Sequence, residues 1–419
     1  MKKLNKEDYK ICIVGLGYVG LPLAARFSLK GFDVTGFDIK EERINQLVNK
    51  IDINDDISDT NLETLVKNSK LTSNIDELKE SNIFIITVPT PINEDKTPDL
   101  EPLIASSRLV GSKIKKGSIV IYESTVYPGV TDDICTPILE EKSKLIFNED
   151  YWTGYSPERI VPGDKISTIE TITKVVSASN KDALNVISFL YSSIIDAGIH
   201  QASSIKVAEA AKVSENIQRD VNIALINEMH QLFTSLGISS LDVIEAASTK
   251  WNFMKLTPGL VGGHCISIDP YYLMHKSEMS GYTPNIMMSA RKVNDEMGNW
   301  VVENFKKFAK ENSIDPSSTE ITLMGYTFKE NCSDTRNTKV HEIAVSLRDA
   351  GFKLMIWDPY IDHETIQLMK KDKIFSSKER PDHIKLAFIC VYHKEVLEFL
   401  EFYDGLVYDF RKLNKISWK

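Results

Sequence analysis

Apolar positions along this chain follow two periods, and the two periods alternate. Short apolar runs rich in β-branched residues, the pattern of buried strands, fall at Lys10–Val14, Phe32–Phe37, Ser81–Val88 and Gly117–Tyr122. Thr173–Ser177 is expected as the last of this group. Between the first two runs, Leu23, Ala24 and Phe27 recur at helical spacing until Gly31. From Ser203 to Leu236 the helical period continues without Gly or Pro, and its apolar residues cover more than one narrow stripe. A helix this long and this apolar needs partners on several sides, so it is expected to run through the middle of the molecule and pack at a subunit interface. Gly237 ends it, and a second long helix is expected over Asn285–Glu311. Strands then return at Thr319–Thr327, Phe352–Trp357, Ile384–Val391 and Gly405–Tyr408, with a helix near Lys339–Ala350.

The chain has 419 residues, too many for one compact core. Its apolar share of 42% and charged share of 26% are those of an ordinary globular protein. The expected fold is α/β: two doubly wound domains, 1–200 and 312–419, joined by a long central helix and a helical dimerisation region, 201–311. A formal net charge of −9 argues against nucleic acid or an anionic membrane as partner. Cys12, Cys135, Cys265, Cys332 and Cys390 are odd in number and scattered, which suits neither a disulfide framework nor a metal site and fits a reducing cytoplasm. The start, MKK followed by an apolar run, imitates a signal peptide. Glu7 and Asp8 interrupt the basic region, however, and the run carries a glycine fingerprint with Arg26 behind it. No run reaches the ~20 apolar residues of a spanning helix.

That fingerprint is Gly15-Leu16-Gly17-Tyr18-Val19-Gly20, set between a strand and a helix, with a second strand ending at Asp38. Strand, GxGxxG, helix, strand, acid is the order of a Rossmann dinucleotide site. Gly15 permits the turn, Gly17 lets the backbone approach a pyrophosphate, and Gly20 lets helix pack on strand. Asp38 suits ribose hydroxyls and repels a 2′-phosphate, so NAD is the expected cofactor. Arg43, one turn into the next helix, is either an adenine-stacking residue or part of a solvated face. Val88-Pro89-Thr90 and Ser124-Thr125 follow later strands at their carboxyl ends, where ligands of such sheets bind. Glu158 lies in the Pro-flanked loop Tyr155–Arg159.

The stretch Leu256–Leu273 surrounds Cys265 with Gly259, Gly262 and Gly263, and Asp269 follows four positions on. Small residues there suggest close approach of something large to the sulfur; a tight turn with an inert buried thiol is the plainer alternative. Glu209, Lys212, Asn216 and Asp220 share one face of the long helix. They form either a buried polar site or a surface Glu–Lys pair. In FKENCSDTR, Lys329 and Arg336 suit phosphates, unless they are plain surface charge. The first turn of this last domain lacks GxGxxG, so a second dinucleotide bound in the same way is not expected.

GLGYVG with Asp38, the loop VPTP, ESTV, SPER, Lys212 with Asn216, GGHC with Asp269, and FKENCSDTR occur here in that order. In this the chain resembles the nucleotide-sugar 6-dehydrogenases of the UDP-glucose dehydrogenase superfamily, over nearly its whole length. YSPERIVPGD and PGLVGGHCISIDPYYL look like the branch acting on UDP-N-acetylhexosamines; the UDP-glucose branch typically has Phe-Gly-Gly-Ser-Cys where this chain has Val261–Cys265. The resemblance implies UDP-N-acetylglucosamine or UDP-N-acetylgalactosamine as substrate, uronic acids for surface polysaccharide as product, and a homodimer. It also implies a four-electron oxidation at sugar C6 through a Cys265 thiohemiacetal and thioester.

In that scheme Lys212 and Asn216 stabilise the oxyanion, Asp269 organises a water, and Glu158, with Thr125, activates water for hydrolysis. Gly15, Gly17, Tyr18, Val19, Gly20, Asp38, Arg43, Val88, Pro89, Thr90, Ser124, Thr125 and Arg336 fall to the cofactor. Glu158, Arg159, Ile160, Lys212, Asn216, Gly262, Phe328 and Lys329 fall to the substrate. His264 is taken as a loop or substrate-contact residue without a catalytic role. UDP-glucose and UDP-N-acetylmannosamine stay open as substrates. A two-electron β-hydroxyacid-type dehydrogenase also joins a Rossmann domain to a helix bearing Lys and Asn, but it needs neither Cys265 nor a third domain. An NAD-binding sensor without turnover is the alternative outside enzymes.

Overall fold

The computed structural model describes residues 4–53, 56–160, 168–263 and 265–412. His264 and the Val161–Asp164 part of the loop YSPERIVPGD lie outside them. The chain divides into two compact units, one formed by 1–215 with 271–281, the other by 216–270 with 282–419. The helix Ile205–Ser235 is continuous through the division, and Asn285–Glu311 forms the second long helix as expected.

The first unit is built on an eight-stranded sheet. Its strands are β1 (Lys10–Val14), β2 (Asp33–Phe37), β3 (Lys70–Thr72), β4 (Ile83–Ile86), β5 (Ser118–Tyr122), β6 (Tyr151–Tyr155), β7 (Lys174–Ala178) and β8 (Ile199–Gln201). They run in the order β3-β2-β1-β4-β5-β6-β7-β8. Every pairing is parallel except β6 with β7. β4 and β5 are buried at every position, as strands covered on both faces must be. Val14 is level with both Phe37 and Ile86, so the three strands end together and the order of connection reverses beside β1. Such a crevice is where open α/β sheets bind ligands. Ile11, Ile13, Ile85 and Ile121 of the strands and Leu23 and Phe27 of the helix Gly20–Leu29 share one core.

The Thr173–Ser177 strand is not the last of this sheet: β8 follows it at the edge, and β6 precedes it. β8 is short and half exposed, so it has no apolar run to announce it. β6 reads YWTGY. Its Gly154 stands where a side chain would run into Ile187 Cδ1, 2.3 Å from an added Cβ, and the residue that breaks the pattern is there for packing.

The second unit holds a parallel sheet of β9 (Glu320–Met324), β10 (Lys353–Trp357), β11 (Phe375–Ser377), β12 (Leu386–Ile389) and β13 (Leu406–Asp409), ordered β11-β10-β9-β12-β13. Phe305 of the Asn285–Glu311 helix meets Phe388 and Tyr408 of this sheet at ring-centroid distances of 5.0 Å and Phe352 at 5.4 Å. It is fully buried, and such a ring removed to alanine costs about 3–5 kcal/mol. Among the described residues no helix is long and apolar enough to cross a membrane.

Candidate active site

The dinucleotide cradle is assembled by the level ends of β1, β2 and β4. Gly15 adopts φ +98° and donates its N–H to Phe37 O at 2.8 Å. A Cβ on Gly20 would lie 1.8 Å from Gly15 O and 2.4 Å from Thr87 Oγ1, so no side chain fits there. A Cβ on Gly17 would meet nothing within 4 Å, leaving open the approach that a pyrophosphate needs. Asp38 accepts Leu16 N through Oδ2 and Lys40 N through Oδ1, both at 2.9 Å, which fixes its carboxylate at the end of β2. These residues fit NAD. Arg43 is not on a solvated face: it is 8% exposed. It donates to Leu16 O at 3.0 Å and pairs with Asp52 at 3.0 Å, so it also steadies the fingerprint turn. Ser124 donates to Val88 O and Thr90 to Thr125 O, lacing together the loops that follow β4 and β5.

Glu158, 8% exposed, bends back on its own loop. Its Oε1 accepts the N–H groups of Arg159 at 2.6 Å and Ile160 at 2.5 Å. Its Oε2 lies 3.5 Å from Lys174 Nζ, which binds Glu123 at 2.7 Å; Tyr191 donates its hydroxyl to the other oxygen of Glu123. Burial opposes the charge of Lys174, but Glu123 and Glu158 more than offset this and hold its pKa above the ordinary lysine value. Sequence reasoning missed Lys174. The one signal was a lysine heading an otherwise apolar strand. Arg159 is tied to Glu215 at 2.8 Å and to Thr173 O at 2.7 Å.

The polar face of the Ile205–Ser235 helix separates into different tasks. Glu209 is no surface partner of Lys212: it is fully buried and accepts Gly129 N at 2.6 Å and Thr131 N at 2.9 Å. Burial pushes its carboxyl up to about 7, against two donors that favour the charged form. The folded protein therefore keeps a proton on Glu209 that the unfolded chain releases from about 4.5 upward. Stability should fall as pH rises through that window, by on the order of 3 kcal/mol, and then level off. Melting temperatures from pH 4.5 to 8 should show this loss in the wild type and a flatter profile in Glu209→Gln; equal profiles would contradict it. Lys212, one turn on, is 7% exposed.

Three of the expected catalytic residues come together within the second unit. Asn216 Nδ2 donates to Asp269 Oδ2 at 2.6 Å, and Asp269 N donates to Cys265 O at 2.8 Å. Of the five cysteines, Cys12, Cys135, Cys332 and Cys390 are buried, and burial pushes Cys135 and Cys390 up to about 12. Cys265 differs from them in being partly exposed.

The glycines beside Cys265 also let its loop pack closely on another. A Cβ on Gly262 would lie 2.7 Å from Asn337 O, and one on Gly263 would lie 2.8 Å from the Phe328 ring. They let this loop dock on the loop of FKENCSDTR. That second loop is pinned by the buried His393, whose Nδ1 accepts Asn331 N at 2.9 Å while Nε2 lies 3.1 Å from Asp358 Oδ2. Lys329 Nζ stands 5.7 Å over the Phe328 ring, and Arg336 is folded onto Asp334 by two bonds of 2.7 and 2.8 Å.

Three models of one family match successive stretches: its NAD binding domain over 9–195, its central domain over 206–296 and its UDP binding domain over 322–415. A protein of Pseudomonas aeruginosa named UDP-N-acetyl-D-glucosamine 6-dehydrogenase is 51% identical over 85% of this chain and 84% of its own. One of Salmonella typhi with the same name is 46% identical over 93% and 91%. Among solved structures, a UDP-D-ManNAc dehydrogenase from Pyrococcus horikoshii superposes with a TM-score of 0.85 at 28% identity, over 98% of this chain and 96% of the other. With the NAD cradle, the Cys265 loop and all three matches in register, the chain belongs to the UDP-glucose/GDP-mannose dehydrogenase family of NAD-dependent nucleotide-sugar oxidoreductases.

Proposed function

We propose that this protein oxidises the C6 hydroxymethyl of a UDP-N-acetylhexosamine, the gluco or galacto sugar, to the carboxylate. The observation that carries the chemistry is a partly exposed Cys265 linked through its own backbone to Asp269 and Asn216. The sugar is supported by the two relatives named for UDP-N-acetyl-D-glucosamine, at 51% and 46% identity.

An alcohol must lose four electrons to become an acid, and two molecules of NAD⁺, bound in turn, would accept them as one hydride each. The first oxidation leaves an aldehyde and one proton. Cys265 Sγ then adds to its carbonyl carbon, forming a thiohemiacetal that cannot diffuse away. Loss of the second hydride together with the hydroxyl proton makes a thioester, and water cleaves the C–S bond to give the carboxylate, a proton and the restored thiol. Lys212 and Asn216 stabilise negative charge on the C6 oxygen, while Asp269, its orientation set by Asn216, takes part in proton transfer. Glu158 serves hydrolysis, with Oε1 engaged by its own loop and Oε2 facing Lys174 at 3.5 Å, and Thr125 positions the water. Gly262, Phe328, Lys329, Arg159 and Ile160 contact the UDP-sugar, and Arg336 leaves Asp334 for a cofactor phosphate.

The 201–311 segment serves as the dimerisation domain and 312–419 as the UDP-sugar domain. Leu225, Leu232 and Leu236, each more than half exposed at helical spacing, supply an apolar stripe for a second copy. Sedimentation of the wild type as a monomer would remove the dimer. We place the reaction in the cytoplasm, feeding surface polysaccharide synthesis; recovery in an extracellular fraction would argue otherwise.

NADH formed per sugar consumed tests the whole scheme. Assays with UDP-N-acetylglucosamine, UDP-N-acetylgalactosamine, UDP-N-acetylmannosamine and UDP-glucose should give two NADH per sugar, fastest with one of the first two. One NADH per sugar would exclude the thioester route, and a faster manno or glucose substrate would exclude the assignment of the sugar.

A further inference from the structure

Asn227 lies on the Ile205–Ser235 helix, wholly buried, and its amide pairs with both backbone polar groups of Gly259. Nδ2 donates to Gly259 O at 2.9 Å, and Gly259 N donates to Oδ1 at 2.9 Å. The same Nδ2 donates to Asn294 Oδ1 at 2.9 Å. Asn294, also wholly buried, donates to Asp220 Oδ1 at 2.7 Å and Asp220 O at 3.0 Å. Arg291 donates to the same Oδ1 at 2.6 Å. A chain of buried polar groups thus runs from Arg291 on one helix, through Asp220, Asn294 and Asn227, to the start of the loop bearing Cys265. At the far end Asn337 Nδ2 donates to Gly263 O at 3.1 Å. The span Gly259–Gly263 is therefore fastened at both ends, two residues before the sulfur. At Asn227 only a side chain with adjacent donor and acceptor can satisfy both groups of Gly259, and its partner Asn294 fixes which way the amide faces. The amide oxygens and nitrogens of Asn227 and Asn294 are all bonded, and buried amides satisfied in this way confer rigidity beyond their pairwise strength.

We propose that Asn227 is a positioning residue for Cys265: it holds the Gly259–Gly263 span so that the sulfur is presented in one attitude. Being wholly buried, it acts through the loop and not on the substrate. The assignment rests on Cys265 as nucleophile.

The test uses the full chain with Asn227→Ala, Asn294→Ala and Cys265→Ser. Asn227→Ala should bind NAD as the wild type does and keep KM within about threefold, while kcat falls about 10- to 100-fold, the scale of a misplaced reacting group. The pH profile of Cys265 alkylation by iodoacetamide, followed by mass spectrometry, should move as well, which general destabilisation would not cause. Wild-type kcat and an unmoved alkylation profile in Asn227→Ala would overturn the proposal. If that variant does not fold, Asn294→Ala decides. It leaves the Gly259 pair intact, so a smaller kcat loss at constant KM supports the proposal and unchanged kcat overturns it. Full turnover by Cys265→Ser would instead remove the nucleophile, a failure that the Asn227 alkylation profile does not share.

Discussion

Cys265→Ser should bind NAD and UDP-sugar as the wild type does, yet release uronate slower by about 10³-fold or more, the scale on which loss of a nucleophile acts. A serine hydroxyl is far less ionised than a thiol at neutral pH, and the ester it would form hydrolyses more slowly than a thioester. The substitution is nearly isosteric at a partly exposed position, so the loop should keep its course through the bonds from Ile268 N and Asp269 N to the residue 265 carbonyl. Rapid mixing of enzyme, NAD⁺ and UDP-sugar should show NADH formation that stops well short of two per sugar. Steady turnover at the wild-type rate would take the covalent step out of the mechanism.

Lys212→Ala should lower kcat by about 10²- to 10³-fold with KM within a few-fold, the effect of removing one group that stabilises an oxyanion. Lys212 is 7% exposed on a helix whose neighbouring Glu209 is bonded to the backbone of Gly129 and Thr131. The Glu209 carboxyl one turn away is thus bound elsewhere, and under the proposed mechanism the Lys212 ammonium serves the charge that develops in the reaction. A rise in KM alone would make Lys212 a binding residue. Unchanged NAD affinity in the variant would show that the fold survives.

The dinucleotide site was legible because its parts are local: Gly15, Gly17 and Gly20 lie in one turn, and Asp38 ends the very next strand. The two long helices were legible for the same reason, as the period is written along each. Strands that went unread were short or exposed, as with β3, β8 and β11, or interrupted for packing, as Gly154 interrupts β6 beside Ile187. The Glu209–Lys212–Asn216–Asp220 face was seen as one feature. The structure divides it, because Glu209 and Asp220 bond to groups brought in from far along the chain.

What the sequence by itself determined is the α/β order and the NAD fingerprint. Each is set by neighbours in the chain, where period, turn chemistry and spacing operate. Tertiary structure decided that Lys174 holds Glu123 and Glu158, that Gly262 and Gly263 make room for Asn337 and Phe328, and that Asn227 fastens the loop of Cys265. A buried amide or ammonium takes its meaning from the partner that satisfies it, and those partners lie 32 residues away for Asn227 and 51 for Lys174.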